Sequence, residues 1–215
     1  MPDTLDTTLA AHAAWLRDPG TGARADLRGA DLRGANLVCA DLRGANLRSA
    51  DLRGANLRSA DLRGANLACV DLRGADLGDA NLCGADLTRA VLTEAKLCGA
   101  SLFNASLRGA DLRGADLTRA NLTRADLTRA DLRGAGLRGA ELAGVTGDGA
   151  VIMSIHLPRY PVAIAGAVMQ IGCQRHAITE WLALDDAAIA RMDTGALDWW
   201  RRWKPAIAAV IAARQ

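Results

Sequence analysis

The chain has 215 residues and a formal net charge of +2; half of its residues are hydrophobic, yet only 3% are aromatic. So small a net charge offers no global attraction to nucleic acid or to a membrane surface, and no apolar run is long enough to span a bilayer. Few aromatics suit a narrow rod filled with small aliphatic side chains better than a globular enzyme, and the length fits one elongated domain with caps.

Residues 4–17 predict a short amphipathic helix. Leu5, Leu9, His12 and Leu16 share one face with Trp15 beside them, and Asp18-Pro19-Gly20 ends it. Residues 1–24 are read as an N-terminal helical cap, with a partner-docking helix as the alternative. Met1-Pro2-Asp3-Thr4 lacks the basic and apolar regions of a secretory signal, so the expected location is cytoplasmic.

From Ala25 to Gly144 the chain repeats every five residues. Leu occupies every fifth position from Leu27 to Leu142, 24 times in all, and Ala stands two residues earlier in all but one unit, where Val70 replaces it. An α-helix would scatter these leucines, because five residues advance it by about 500°. A flat strand would alternate them between its two faces. A chain that bends at the end of each pentad points every Leu at one axis. With Leu as position i, Ala at i−2 faces inward near a corner, i−1 and i+1 point outward, and Gly or Ser at i+2 supplies the bend. Stacking of successive coils is then obligatory, since one coil alone buries little.

This Ala-(Asp/Asn)-Leu-x-x pattern resembles that of the pentapeptide-repeat family. The resemblance implies an all-β solenoid: a right-handed, four-sided β-helix of about six coils, with Leu and Ala ladders inside. It also implies candidate functions. Some family members mimic B-form DNA and bind DNA gyrase, which needs a strongly anionic rod. Here the repeats carry 17 basic against 15 acidic side chains, so the charge has the wrong sign and gyrase is disfavoured as a partner. Direct nucleic-acid binding is disfavoured as well, because Asp interleaves with Arg.

Function should therefore lie in the outward positions. Asp31, Asp51, Asp71, Asp111 and Asp131 form an acidic column beside a basic column of Arg33, Arg53, Arg73, Arg113 and Arg133. Both columns break in residues 91–106, which place Val91, Thr93, Glu94, Lys96, Cys98, Ser101, Phe103, Asn104 and Ser106 in outward slots. Phe103 is the only aromatic of the repeats, and the patch is read either as a partner contact centred on it or as surface drift. Arg119, Arg124 and Arg129 occupy three successive corners, a basic collar suited to phosphates or an acidic partner unless Asp116 and Asp126 neutralise it.

Beyond Gly144 the register decays, and residues 145–215 are read as a small C-terminal strand-plus-helix (α/β) subdomain. Residues 150–172 predict one or two strands; Ile178–Leu184, Asp185–Met192 and Ala196–Ala213 predict helices, with Asp185 as an N-cap and Pro205 kinking the last. Trp199, Trp200 and Trp203 offer a homodimer contact. The cysteines, Cys39, Cys69, Cys83, Cys98 and Cys173, show no metal-ligand spacing, and Cys173-x-x-His176 is read as structural. There is no phosphate loop, no catalytic triad and no paired-carboxylate pocket. The sequence thus predicts a non-enzymatic scaffold or structural component that binds an unidentified protein and needs no cofactor or metal. A phage or mobile-element origin is also among its readings.

Overall fold

The computed structural model describes residues 5–142, 144–147, 152–155, 160, 162–165, 168–172 and 174–212. Its elements are α1 (Leu5–Arg17), the solenoid, strands β1 (Ile152–Ile155), β2 (Val162–Ala165), β3 (Val168–Ile171) and β4 (Gln174–Ala177), then α2 (Ile178–Ala183), α3 (Asp186–Ala190) and α4 (Ala196–Ala212).

The described β-bridges of the solenoid are all parallel and join residues twenty apart, from Asp26–Asn46 to Asp126–Thr146. Four pentads therefore complete one coil, and each pentad forms one side. Leucines from Leu37 to Leu127 are at most 2% exposed and form one continuous core with the alanines. The bend is where the repeat predicts it. Ala55 N–H donates to Leu52 C=O (3.0 Å) across a four-residue turn, with Gly54 at φ 64°.

The backbone of one pentad explains the residue at i−1. Asp51 N–H reaches back to Ala30 C=O (2.9 Å); Leu52 and Gly54 N–H reach forward to Asp71 and Arg73 C=O (2.8 and 3.0 Å). Only the i+1 amide, that of Arg53, lacks a backbone acceptor, and Asp51 Oδ1 accepts from it at 3.2 Å. Asn56 and Asn66 serve Arg58 and Ala68 in the same way. Asp or Asn at i−1 is thus a structural requirement, because an unmet amide weakens the fold. The sequence reading took these residues only as a charge lattice.

Helix α1 lays Leu5 and Leu9 against the rod's core. His12 is fully buried, and its Nδ1 accepts from Ala25 N–H (3.1 Å), the first amide of the repeats. Burial holds its imidazole below the ordinary histidine pKa.

The C-terminal segment differs from expectation. Among the described residues, 150–172 hold three strands rather than one or two, and a fourth follows at Gln174–Ala177, in an antiparallel meander β1-β2-β3-β4. Gly172, at φ 58°, lies between β3 and β4. Val162, Ile164, Met169 and Ile171 are buried against α2, α3 and α4 in a second core with Trp181, Trp199 and Trp200. Asp185 caps α3 by accepting from Ala188 N–H (2.7 Å), and α4 continues through Pro205. Trp199 and Trp200 are 8% and 2% exposed. Two of the three tryptophans expected at a dimer contact are therefore used inside the chain's own core; Trp203 packs half-buried against it.

Candidate protein-binding face

The four sides of the rod are named here by their first i−1 residue: Asp26, Asn36, Asp31 and Asp41. The Asp31 side is an ion-pair ladder. Arg53 grips Asp51 through Nε and Nη2 (2.8 and 2.5 Å), and its Nε stands 3.8 Å from Asp71 of the next coil. Arg33 and Arg113 repeat the arrangement. The guanidinium of Arg33 holds the Asp31 carboxyl at about 2, and every other aspartate of this ladder is lowered by its own arginine. These carboxylates are saturated by arginines of the same chain, which suits a solvated surface.

The coil of residues 91–110 breaks this rule on all four sides. Its i−1 residues are Val91, Lys96, Ser101 and Ser106, and none bonds the i+1 amide as Asp or Asn does elsewhere. Among the described residues, the amides of Thr93, Cys98, Phe103 and Arg108 lack that bond. Its side chains tie to neighbouring coils instead: Ser101 Oγ to Cys83 Sγ (3.0 Å), Ser106 Oγ to Thr88 Oγ1 (3.1 Å), and Cys98 Sγ to Asp116 Oδ2 (2.9 Å).

The twenty-residue register separates the residues grouped from sequence. Thr93 and Glu94 belong to the Asp31 side, Lys96 to the Asn36 side and Phe103 to the Asp41 side, two pentads beyond Thr93 and so half a coil away. They form a belt around the rod, not one patch; Phe103 and Thr93 face opposite directions. Phe103 is 38% exposed; among the described residues Val38, which the sequence reading passed over, is the other exposed large hydrophobic.

What surrounds Phe103 is a different set. Along the Asp41 side, the i−1 and i+1 residues of three successive coils are Asn81 and Cys83, Ser101 and Phe103, and Asn121 and Thr123. None is charged, whereas Asp41–Arg43 and Asp61–Arg63 pair on the two preceding coils of the same side. Asn104 N–H donates to Thr123 C=O (3.0 Å), placing Phe103 next to Thr123. Arg119 and Arg124 are the two corners that bound this side at Thr123, and Arg129 lies one corner further round.

All three corner arginines are exposed and left-handed, with φ of 58°, 61° and 60°. That conformation costs a residue with a Cβ about 1–2 kcal/mol. The acids expected to neutralise the collar are engaged elsewhere. Asp116 accepts from Cys98 and from Thr118 N–H, while Asp126 accepts from Thr128 and pairs with Arg108 (3.4 Å). Arg119 and Arg124 have no ion-pair partner among the described residues. Arg119 also edges a depression of about 330 Å³ on the Asn36 side, with Arg58, Asp79, Cys98 and Arg138. The hydrogen bond to Asp116 raises the Cys98 thiol pKa, which disfavours the reactive thiolate.

Cys39, Cys69, Cys83 and Cys98 are free, and no group of metal-ligating side chains forms among the described residues. Cys173 lies outside those residues. His176 Nδ1 is 3.8 Å from Glu180, and its ring stands edge-on to Trp181. No described helix is long and apolar enough to cross a membrane.

The pentapeptide-repeats family profile matches residues 25–64, 65–104 and 100–139, more than half of the chain. No curated protein matches the sequence. Among solved structures, HetL, a pentapeptide repeat protein involved in heterocyst differentiation regulation from the cyanobacterium Nostoc sp. strain PCC 7120, is 33% identical; the match covers 56% of this chain and 75% of that one, with a TM-score of 0.30. A pentapeptide repeat protein from the Arabidopsis thaliana thylakoid lumen is 38% identical over 51% of this chain and 69% of that one, with a TM-score of 0.25. QnrB1, a plasmid-mediated fluoroquinolone resistance protein, is 27% identical over 61% and 70%, also with a TM-score of 0.25. With 24 leucines in register and coils closed every twenty residues, the chain belongs to the pentapeptide-repeat family and its solenoid is a right-handed β-helix.

Proposed function

We propose that this chain is a non-catalytic scaffold whose rod presents the uncharged face around Phe103 to a protein partner, with Arg119 and Arg124 as its rim. In this reading residues 25–144 form six coils, residues 1–24 cap one end, and residues 145–215 are a C-terminal subdomain. The supporting observation is the loss of charge over three successive coils of one side, while the opposite side is interrupted only at Val91 and Thr93 and pairs Asp71–Arg73 and Asp111–Arg113 on either side of that break. Interface centres are depleted in charged residues and enriched in aromatics, because a charge must be desolvated on docking and an aromatic gains from it. The rim arginines would add encounter rate and orientation toward an acidic surface.

DNA mimicry is weakened further by the ladder, since its carboxylates are already covered by guanidinium groups and present no anionic track. The deciding experiment is affinity capture from the native host with wild type, Phe103→Ala and, on the opposite side, Thr93→Ala. Loss of one protein with Phe103→Ala and its retention with Thr93→Ala supports the face. Identical capture by all three overturns it. A parallel gyrase supercoiling assay identifies that enzyme if it is the captured partner.

A further inference from the structure

Each coil of the rod leans on the one before it. Asn46 N–H reaches back to Ala25 C=O (2.9 Å) and Asp51 N–H to Ala30 C=O (2.9 Å). Residues 25–44 have no coil behind them, so the end they form must be closed by something else. Helix α1 lays Leu5 and Leu9 there, and Ala23 N–H ties back to Ala11 C=O (3.2 Å). The connection is tight: at Gly22, with φ 76°, a Cβ would stand 2.3 Å from the Ala11 carbonyl oxygen. His12 lies between helix and coil, fully buried, its ring stacked on Trp15 with centroids 5.6 Å apart and planes at 12°.

The neighbours of this ring fix where its hydrogen sits. Nδ1 accepts from Ala25 N–H (3.1 Å), so the neutral imidazole carries its hydrogen on Nε2. Nε2 is buried and makes no hydrogen bond of normal geometry among the described residues, although the Arg43 carbonyl lies near it. A second proton enters only at Nδ1, where it meets the Ala25 N–H donor against donor. The charged groups facing the ring are Arg24, Asp41 and Arg43. Burial opposes a charged ring most strongly; Asp41 and the Arg43 carbonyl favour it, and the Arg24 and Arg43 guanidinium groups oppose it. Asp41 is itself gripped by Arg43 at 2.7 Å, which weakens its pull on the ring. A charged His12 is thus accommodated only when the ring leaves Ala25 for water, and α1 must move with it.

We infer that His12 is a proton-operated latch: neutral, it fastens α1 over the first coil, and protonated in mildly acidic solution, it releases the helix while the rest of the rod stays stacked. Release uncovers the leucine ladder and the strand edge of the first coil. The inference rests on the capping role of α1 and not on the Phe103 face. The test is amide hydrogen exchange in the full chain at pH 7 and pH 5, corrected for the intrinsic effect of pH on exchange. Protection of Trp15 and Leu16 at pH 7 reports the cap itself, and its change with pH reports the latch. The α1 amides should lose about tenfold in protection at pH 5, because opening takes up a proton that the closed form refuses. Leu72 and Leu92, deep in the rod, should change by less than about twofold. His12→Asn offers Ala25 an acceptor that does not titrate, so its α1 protection, whatever its level, should be the same at both pH values. An α1 protection that ignores pH in wild type, a fall shared equally by Leu72 and Leu92, or a fall retained in His12→Asn each overturns the latch. If that variant does not fold, the comparison of α1 with the two leucines in wild type decides alone.

Discussion

The rod and the C-terminal segment bury comparable chemistry by opposite means. In the rod, a residue's surroundings follow from its place in the pentad: Leu52, Leu72 and Leu92 meet nearly the same neighbours and are each at most 1% exposed. In the C-terminal segment every surrounding is used once. Trp181 bonds Met169, Trp200 meets Lys204, and Asp186 pairs with Arg201 (2.5 Å). A periodic core distributes its stability along the chain, whereas an aperiodic one concentrates it in a few large side chains.

That contrast is open to a direct break. Leu72→Asp places an unpaired charge at a fully buried position and should remove about 4 kcal/mol or more. Far-UV circular dichroism should lose the rod's transition. Near-UV signal, dominated by the C-terminal tryptophans, should persist if the two cores fold separately. Trp200→Ala, at about 3–5 kcal/mol, should give the reverse pattern. Loss of both signals in either variant would mean a single cooperative unit.

A smaller effect tests the role of the i−1 side chain. Asn66→Ala leaves the Ala68 amide without its acceptor (3.1 Å) and should cost about 1 kcal/mol in chemical denaturation. Ser101→Asn supplies the missing acceptor beside Phe103 and should move stability the other way by a few tenths to about 1 kcal/mol. No gain there would show that the belt coil has already met its amides by other means.

The corners sharpen the comparison further. Arg124→Gly relieves a left-handed Cβ and should stabilise the fold by about 0.5 kcal/mol after the entropy of the added glycine is subtracted, read as a higher melting temperature. A fall would mean that the arginine earns its place through contacts within the rod.

Acid gives the most gradual response. His12 has a lowered folded pKa, so below about pH 6.5 the unfolded chain takes up a proton that the folded one refuses, and stability falls as pH drops. The ladder aspartates are lowered by their arginines, Asp31 to about 2. Their contribution is complete above the ordinary aspartate pKa of about 4 and is lost as pH falls from there toward 2. Melting temperatures from pH 7 to 2 should decline in these two stages, with only the second much weakened by salt, because the ladder is exposed.

Much of the rod was legible because its period admits one solution: a leucine at every fifth place must point at a common axis. The purpose of Asp and Asn at i−1 was not, since it depends on which amide lacks a backbone acceptor, a fact visible only once the coils are stacked. The grouping of Thr93 and Glu94 with Phe103 failed for a related reason. Nearness in sequence becomes half a circumference when four pentads close a coil. The fourfold strand meander was hidden because each strand is only four residues long. Its one signal was the alternation of Val162 with Ile164 and of Met169 with Ile171, all four buried.

The coil length makes this protein a counting device. Adding twenty residues anywhere in the rod would lengthen it and leave each surface aligned with itself. Adding five would rotate everything downstream by a quarter turn, carrying Phe103 onto a neighbouring side without altering one local contact of its own pentad. Direction in such a molecule is arithmetic: where a side chain points, relative to a landmark upstream, is a remainder after division by twenty.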